Sequence, residues 1–295
     1  MRIWAVVNPA AGSGKGRKKS RSYIRYLRQA GIEVEVAYSQ HPGHVYQLVA
    51  NWHGPSSWDG LVAIGGDGTL FEVINALVRR FGEIPLPIGQ VPVGTGNSLS
   101  RDLYPKGAAS ALKAIEKARV KAIDLIRYQS GSEVLYFANM MGIGFVSDIN
   151  ARSFRYKAMG KLAYAVSVVL ETARLCTSRT TVSLDGRQVH TESLFVELCN
   201  SRYTAGNMLL APMAILDDGQ VDLLICRPMA ALRLLRVFPK VFRGTHLSLP
   251  EVETLRGCEG EIAMDPPRRL SPDGEVMGTT PIHFRCLPGA LPVFA

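Results

Sequence analysis

Asp67 stands inside the run Gly65-Gly66-Asp67-Gly68-Thr69, and two further glycine-rich stretches resemble it: Asn8-Pro9-Ala10-Ala11-Gly12-Ser13-Gly14-Lys15-Gly16 and Val93-Gly94-Thr95-Gly96-Asn97. Glycine lets backbone amides come close to a ligand, and the helix that follows such a turn brings about half a positive charge to it. One glycine turn alone is an ordinary chain reversal. Three at the same edge of one sheet make mere chain reversal the weaker reading and a phosphate cradle the stronger one. None of them reads Gly-x-x-x-x-Gly-Lys-Ser/Thr or Gly-x-Gly-x-x-Gly, so the standard nucleotide fingerprints are absent. A carboxylate among phosphate-binding amides costs electrostatic energy unless it serves a metal or a proton, so Asp67 favours phosphoryl transfer over passive binding. Thr69 is placed to cap a helix that begins at Leu70.

The second half carries two acidic turns. Residues 211–222 hold Asp217, Asp218 and Asp222 just before an apolar run. By itself this is an acidic hairpin turn, but its carboxylate and carbonyl oxygens also suit Mg²⁺, which keeps several waters and needs few protein ligands. Ser271-Pro272-Asp273-Gly274-Glu275 is an Asp-Gly turn flanked by a second acid.

Alternating segments position the glycine turns. Strand-like runs at 3–7, 33–38, 61–64, 88–91 and 121–126 alternate with helical patterns at 18–30, 43–52, 70–81 and 108–118. That alternation predicts a mostly parallel sheet with helices on its faces, and ligands bind at the carboxyl ends of such strands. Beyond it, strand-like runs at 137–141, 181–184, 194–198, 221–225, 260–264 and 282–285, with one helix at 160–175, predict a β-rich second domain. The boundary is expected near 126–135, around the polar Gln129-Ser130-Gly131-Ser132.

The 295 residues carry 34 Lys and Arg against 25 Asp and Glu, a net charge of +9, and are 47% hydrophobic. That composition excludes disorder and low-complexity fibre. The longest apolar run, around 162–170, is about half a membrane span, and the N-terminus reads as a strand rather than a signal peptide. Cys176, Cys199, Cys226, Cys258 and Cys286 are odd in number and widely spaced, which argues against a disulfide framework and a zinc site. A cytoplasmic protein with reduced thiols is expected.

Lys18, Arg21, Arg25 and Arg28 fall on one stripe of the first helix, with Tyr23, Leu27 and Ala30 on the other side. Such a stripe is either a solvated face or a contact for anionic headgroups, where each charge contributes about 1 kcal/mol. Arg152, Arg155, Lys157 and Lys161, interleaved with Phe154 and Tyr156, form a second basic group.

Taken together, Asn8-Pro9 with its glycines, Gly65-Gly66-Asp67-Gly68-Thr69, Pro92-x-Gly94-Thr95-Gly96-Asn97, Asn139-x-x-Gly142-x-Gly144, Pro212-x-Ala214 with Asp218-Gly219, and Asp273-Gly274-Glu275 resemble the diacylglycerol kinase catalytic-domain superfamily. The likeness is to its soluble bacterial lipid kinases, with sphingosine and ceramide kinases as relatives and NAD kinases and phosphofructokinases more distant. The resemblance implies a phosphofructokinase-like α/β domain (1–126, with 288–295 returning to it) and a β-rich lipid-binding domain (127–287), a two-layer β-sandwich, with ATP in the cleft between them. It implies ATP contacts at Asn8, Pro9, Ala10, Ala11, Gly12, Ser39, Gly65, Gly66, Asp67, Gly68, Thr69, Leu70, Phe71 and Thr95. It implies Mg²⁺ at Asp218 with carbonyls of Ile215 and Gln220, and a second Mg²⁺ travelling with the nucleotide. Two general bases stay open, Glu275 and Asp67, with Glu275 placed ahead.

Three positions depart from the family pattern: Ser39 stands for the commoner Thr, Ser98 for Asp, and Asp217 adds a charge beside Asp218. The expected activity is phosphorylation of a lipid hydroxyl, diacylglycerol or a related lipid alcohol, by an enzyme peripheral to an anionic membrane. A homodimer stays open as its assembly. The alternatives are an NAD kinase or other small-molecule kinase, a dinucleotide oxidoreductase using Glu35, and a basic nucleic-acid-binding protein. The last is disfavoured because the charge is dispersed and no binding module is present.

Overall fold

Strand β1 (Arg2–Val7) is buried at five of its six positions, as a central strand covered on both faces must be. In the computed structural model, which describes residues 1–12, 14–94, 96–153, 156 and 162–295, it lies at the heart of the first of two units. That unit comprises residues 1–123 and 289–295. After β1 come α1 (Gly16–Gln29), β2 (Glu33–Tyr38), α2 (His44–Ala50), β3 (Gly60–Gly65), α3 (Asp67–Phe81), β4 (Ile88–Pro92), α4 (Ser98–Leu103), α5 (Ala108–Glu116) and β5 (Val120–Ser130). Strands β2, β1, β3 and β4 are parallel in that order, and Val293 near the C-terminus adds a parallel partner beside Ile88. Helix α1 buries Ser20, Ile24 and Leu27 at helical spacing. Lys18, Arg21, Arg25 and Arg28 face outward, and Ala30, expected inward, is exposed at the helix end because the helix stops one residue earlier.

The second unit, residues 124–288, continues with β6 (Glu133–Phe137), β7 (Met140–Gly144), α6 (Phe145–Ser153), α7 (Leu162–Thr172), β8 (Ser178–Leu184), β9 (Arg187–Ser193), β10 (Phe195–Cys199), β11 (Tyr203–Thr204), β12 (Met208–Leu209), β13 (Val221–Cys226), α8 (Ala231–Val237), β14 (Val252–Gly257), β15 (Glu259–Asp265), β16 (Leu270–Pro272) and β17 (Ile282–Phe294). One sheet orders β14-β13-β10-β7-β16, antiparallel throughout. The other pairs β17, β15, β8 and β9 antiparallel. This is an antiparallel β-sandwich. The chain passes between the units within β5 and within β17.

Several expected elements differ. The single strand expected at 137–141 is two, β6 and β7, broken at Ala138 and Asn139 because Asp273 captures the amides there. Gln129 and Ser130 end β5 and pair with β6, and Gly131-Ser132 is the turn of that hairpin. Helices α4, α6 and α8 join the expected ones. Helix α6 follows directly on the glycines of β7, with the Ser147 hydroxyl donating to the Gly144 carbonyl. Of the second basic group, Phe154, Arg155, Lys157 and Lys161 lie outside the described residues, while Arg152 is paired with Glu171 in α7. Among the described residues, no helix is long and apolar enough to cross a membrane.

Candidate functional site

The carboxyl ends of β1, β3 and β4 bring the three glycine turns together. Asn8, just past β1, donates its amide to the Ile64 carbonyl of β3 at 3.0 Å, accepts the Ala10 amide at 3.1 Å on its side-chain oxygen, and reaches Thr69 Oγ1 with Nδ2 at 3.4 Å. The turns after β3 and β4 touch backbone to backbone: a Cβ at Gly94 would lie 2.7 Å from the Gly66 Cα. Gly94 must therefore be glycine for the loops to close on each other. Ser39 joins the same edge, its amide donating to the Val7 carbonyl at 2.9 Å with its side chain buried.

Asp67 opens helix α3, and its own carboxylate is held from another loop. The Ser98 amide, at the start of α4, donates to Oδ2 at 2.9 Å, and Gln90 Nε2 in β4 donates to Oδ1 at 3.3 Å. Burial raises the Asp67 carboxyl above its ordinary value, and these donors pull it partly back. The result is a carboxylate poised to take up a proton above the usual carboxylate range. Ser98, read as the loss of an acid, supplies a backbone donor to this one.

Thr69 is not the cap of α3, because the helix begins at Asp67 with Gly66 as its cap; the threonine is buried in the first turn against Asn8. Leu70 and Phe71 are buried in α3, which leaves only their backbone for a ligand. Pro9, Ala10, Ala11 and Gly12 lie on the turn after β1, while Gly65 ends β3 and Gly68 lies in the first turn of α3. Thr95 lies outside the described residues.

In the second unit, Asp273 and Gly274 both take positive φ, 48° and 87°, and the Glu275 amide donates to the Pro272 carbonyl at 2.8 Å. Two consecutive left-handed residues closed by that bond make a type I′ turn. The turn sets the half-buried Glu275 at its end, while the Asp273 carboxylate points back to the amides of Ala138, Asn139 and Met140 at 3.1, 2.9 and 3.2 Å.

The acidic turn at 215–222 is held from two sides. Buried Asp124 accepts the Gly219 amide at 2.6 Å and donates its own amide to the Leu216 carbonyl at 2.7 Å. Asp218 accepts the Gln220 amide at 3.1 Å on Oδ1, and Arg256 pairs with its Oδ2. Arg256 also lies 3.5 Å from Asp222, whose carboxyl is raised by burial and lowered by that guanidinium. The donors at Ile215, Asp218 and Gln220 are all oxygens, the chemistry that Mg²⁺ accepts, and Ile215 is exposed. Among the described residues, no three acidic, His or Cys side chains cluster as a metal cage.

Gln90, Asp124 and Arg256 were missed in the sequence. A lone Gln inside the apolar run 88–91 was the available signal, since a buried amide needs partners. Asp124 and Arg256 had none, because both act through partners about a hundred or fewer positions away in folded space only.

Residues 2–128 match the family model described as diacylglycerol kinase catalytic domain, and residues 140–295 match the one described as YegS C-terminal NAD kinase beta sandwich-like domain. A diacylglycerol kinase of Mycobacterium tuberculosis is 27% identical over 99% of this chain and 94% of its own length. Sphingosine kinase 1 of Arabidopsis thaliana is 26% identical over 97% of this chain and 70% of its own. A diacylglycerol kinase crystal structure from Bacillus anthracis superposes with a TM-score of 0.80 at 24% identity, covering 99% of this chain and 96% of that one, and so shares the fold.

Proposed function

Because the chain belongs to the diacylglycerol kinase catalytic-domain superfamily, in its YegS-type branch, we propose that it transfers the γ-phosphoryl group of ATP to the hydroxyl of a lipid alcohol such as diacylglycerol. The observation that carries this reading is the convergence of three glycine turns around Asp67, a cradle for polyphosphate at the carboxyl edge of a parallel sheet. Asn8 to Gly12, Ser39 and Gly65 to Phe71, together with Thr95, line the nucleotide in this reading.

A carboxylate accepts the proton of the lipid hydroxyl as its oxygen forms the new bond to Pγ, the bond from Pγ to the β,γ-bridging oxygen breaks, and ADP leaves. Glu275 is the base, with Asp67 as the second candidate. Asn8 and Ser98 keep the turns and the Asp67 carboxylate in place. The Ile215 and Gln220 carbonyls with Asp218 would hold Mg²⁺ in the second unit, and Mg²⁺ carried by the nucleotide would supply charge neutralisation at the phosphates. The exposed cations of α1 meet an anionic membrane surface.

The test is incubation with γ-labelled ATP and Mg²⁺ against diacylglycerol, sphingosine, ceramide, phosphatidylglycerol and NAD. Label in a lipid product is the expected result. Label in no lipid sinks the proposal, and label in NADP supports an NAD kinase in its place.

A further inference from the structure

The second unit contains an apolar pocket of about 80 Å³ on one face of the five-stranded sheet. Phe145 and Ile149 of α6, Val168 of α7 and Leu234 of α8 help to roof it, and Phe195 and Cys226 lie in its floor. Three polar side chains break this apolar lining: Glu197 in β10, Thr204 in β11 and His246.

Glu197 is 2% exposed, and among the described residues it has no hydrogen-bonding or ionic partner. Its neighbours across the sheet are Gly142 and Leu224. A Cβ at Gly142 would stand 3.2 Å from Glu197 Oε1, so the glycine leaves room for the carboxyl. Burial pushes the carboxyl up to about 8, which makes it a neutral O–H donor at physiological pH.

His246 is 4% exposed, with Nε2 at 2.9 Å from the Leu210 carbonyl. A carbonyl only accepts, so the bond to Leu210 puts the hydrogen on Nε2 and makes Nδ1 the acceptor; Nδ1 is buried and has no hydrogen bond of good geometry, although the Lys240 carbonyl also acts on the ring. Beside the Thr204 hydroxyl, the pocket thus presents a donor at Glu197 and an acceptor at His246 Nδ1, neither of them answered. Leaving such groups unpaired is expensive, and an occupant that satisfies them is selected strongly over one that does not.

We propose that Glu197 and His246 form a hydrogen-bonding subsite inside this pocket that selects a lipid whose hydrocarbon chain carries a hydroxyl group. A hydroxyl accepts from Glu197 and donates to His246 Nδ1, while the methylenes on either side meet the apolar walls. A plain hydrocarbon chain fills the same space and answers neither group. This inference rests on the lipid-kinase reading for the identity of its ligand class.

The experiment measures equilibrium binding of radiolabelled 1-stearoylglycerol and of counterparts hydroxylated at successive chain positions to the full-length protein. At least one hydroxylated chain is expected to bind about tenfold tighter than the plain chain. Glu197→Leu should bring the two within about twofold, and Glu197→Gln, which keeps a donor, should retain most of the preference. Glu197→Met carries the same comparison if the leucine variant does not fold. Equal binding of all chains, absence of binding, or a preference that survives Glu197→Leu or Glu197→Met overturns the subsite. Phosphorylation of the same lipids is read separately: selective binding without any lipid phosphorylation sinks the kinase reading alone, and phosphorylation without chain preference sinks the subsite alone.

Discussion

The Asp273 carboxylate accepts the backbone N–H of Asn139 at 2.9 Å, although the two residues lie 134 positions apart. The same carboxylate holds the flanking amides of Ala138 and Met140 and, through the turn it begins, fixes where Glu275 stands. Asp273→Ala leaves three amides without an acceptor in a buried place and is expected to cost on the order of 3 kcal/mol of stability. Urea unfolding of the purified variant measures it, and a loss within experimental error would show the contact to be incidental.

Glu275→Gln is expected to lower kcat about a hundredfold or more, the ordinary worth of a general base, with little change in ATP affinity. Because burial raises the Asp67 carboxyl, an Asp67 base would lose activity on acidification at a higher pH than an ordinary carboxylate, and Asp67→Asn would abolish that acid limb. Rate against pH for both variants separates the two assignments. If both keep wild-type rates, neither acid is the base.

Glu197 ties stability to pH. Its carboxyl binds a proton more tightly in the folded chain, about 8, than in the unfolded chain at 4.5. Between those values the folded state holds the extra proton, so stability declines as pH rises and the full loss is present above pH 8. Glu197→Gln has no such proton and should overtake the wild type on the alkaline side by up to about 5 kcal/mol. Denaturation midpoints across pH 5 to 9 compare the two proteins, and parallel curves would be the contrary result.

Arg256 is the countercharge of the acidic turn. Arg256→Ala leaves Asp218 and Asp222 facing each other, which should lower the melting temperature and make it rise with added Mg²⁺ more steeply than in the wild type. A melting temperature indifferent to Mg²⁺ in both proteins would remove the metal from Asp218.

Charge reversal of Lys18, Arg21 and Arg25 should weaken sedimentation with anionic vesicles by about 1 kcal/mol per residue, and added salt should do the same to the wild type. Arg28 is left out because its guanidinium also donates to the Val34 carbonyl at 2.8 Å. Salt-insensitive binding would contradict an electrostatic surface contact.

The parallel sheet and the glycine turns were legible because both are local: β-branched runs end in glycine, and the period changes from two to about 3.6 at each junction. What was hidden depends on partners distant in the chain. Asp273 broke a strand that its own sequence continues. Ser98, counted as an absence, acts through an amide that every residue possesses. Glu197 sits in a run read simply as strand, and only the face it takes in the sheet turns it into a buried acid.

Residues 289–295 belong to the first unit. There the Tyr104 hydroxyl donates to the Phe294 carbonyl, and the Ala295 amide donates to the Arg119 carbonyl at 3.0 Å. During synthesis, the residues that form the glycine turns leave the ribosome before residues 289–295, and their sheet lacks this strand until those residues follow. The first unit is therefore completed only after the second has been made, which turns the usual N-to-C order of domain folding around. A truncation before residue 289 would damage the unit that residues 1–123 build.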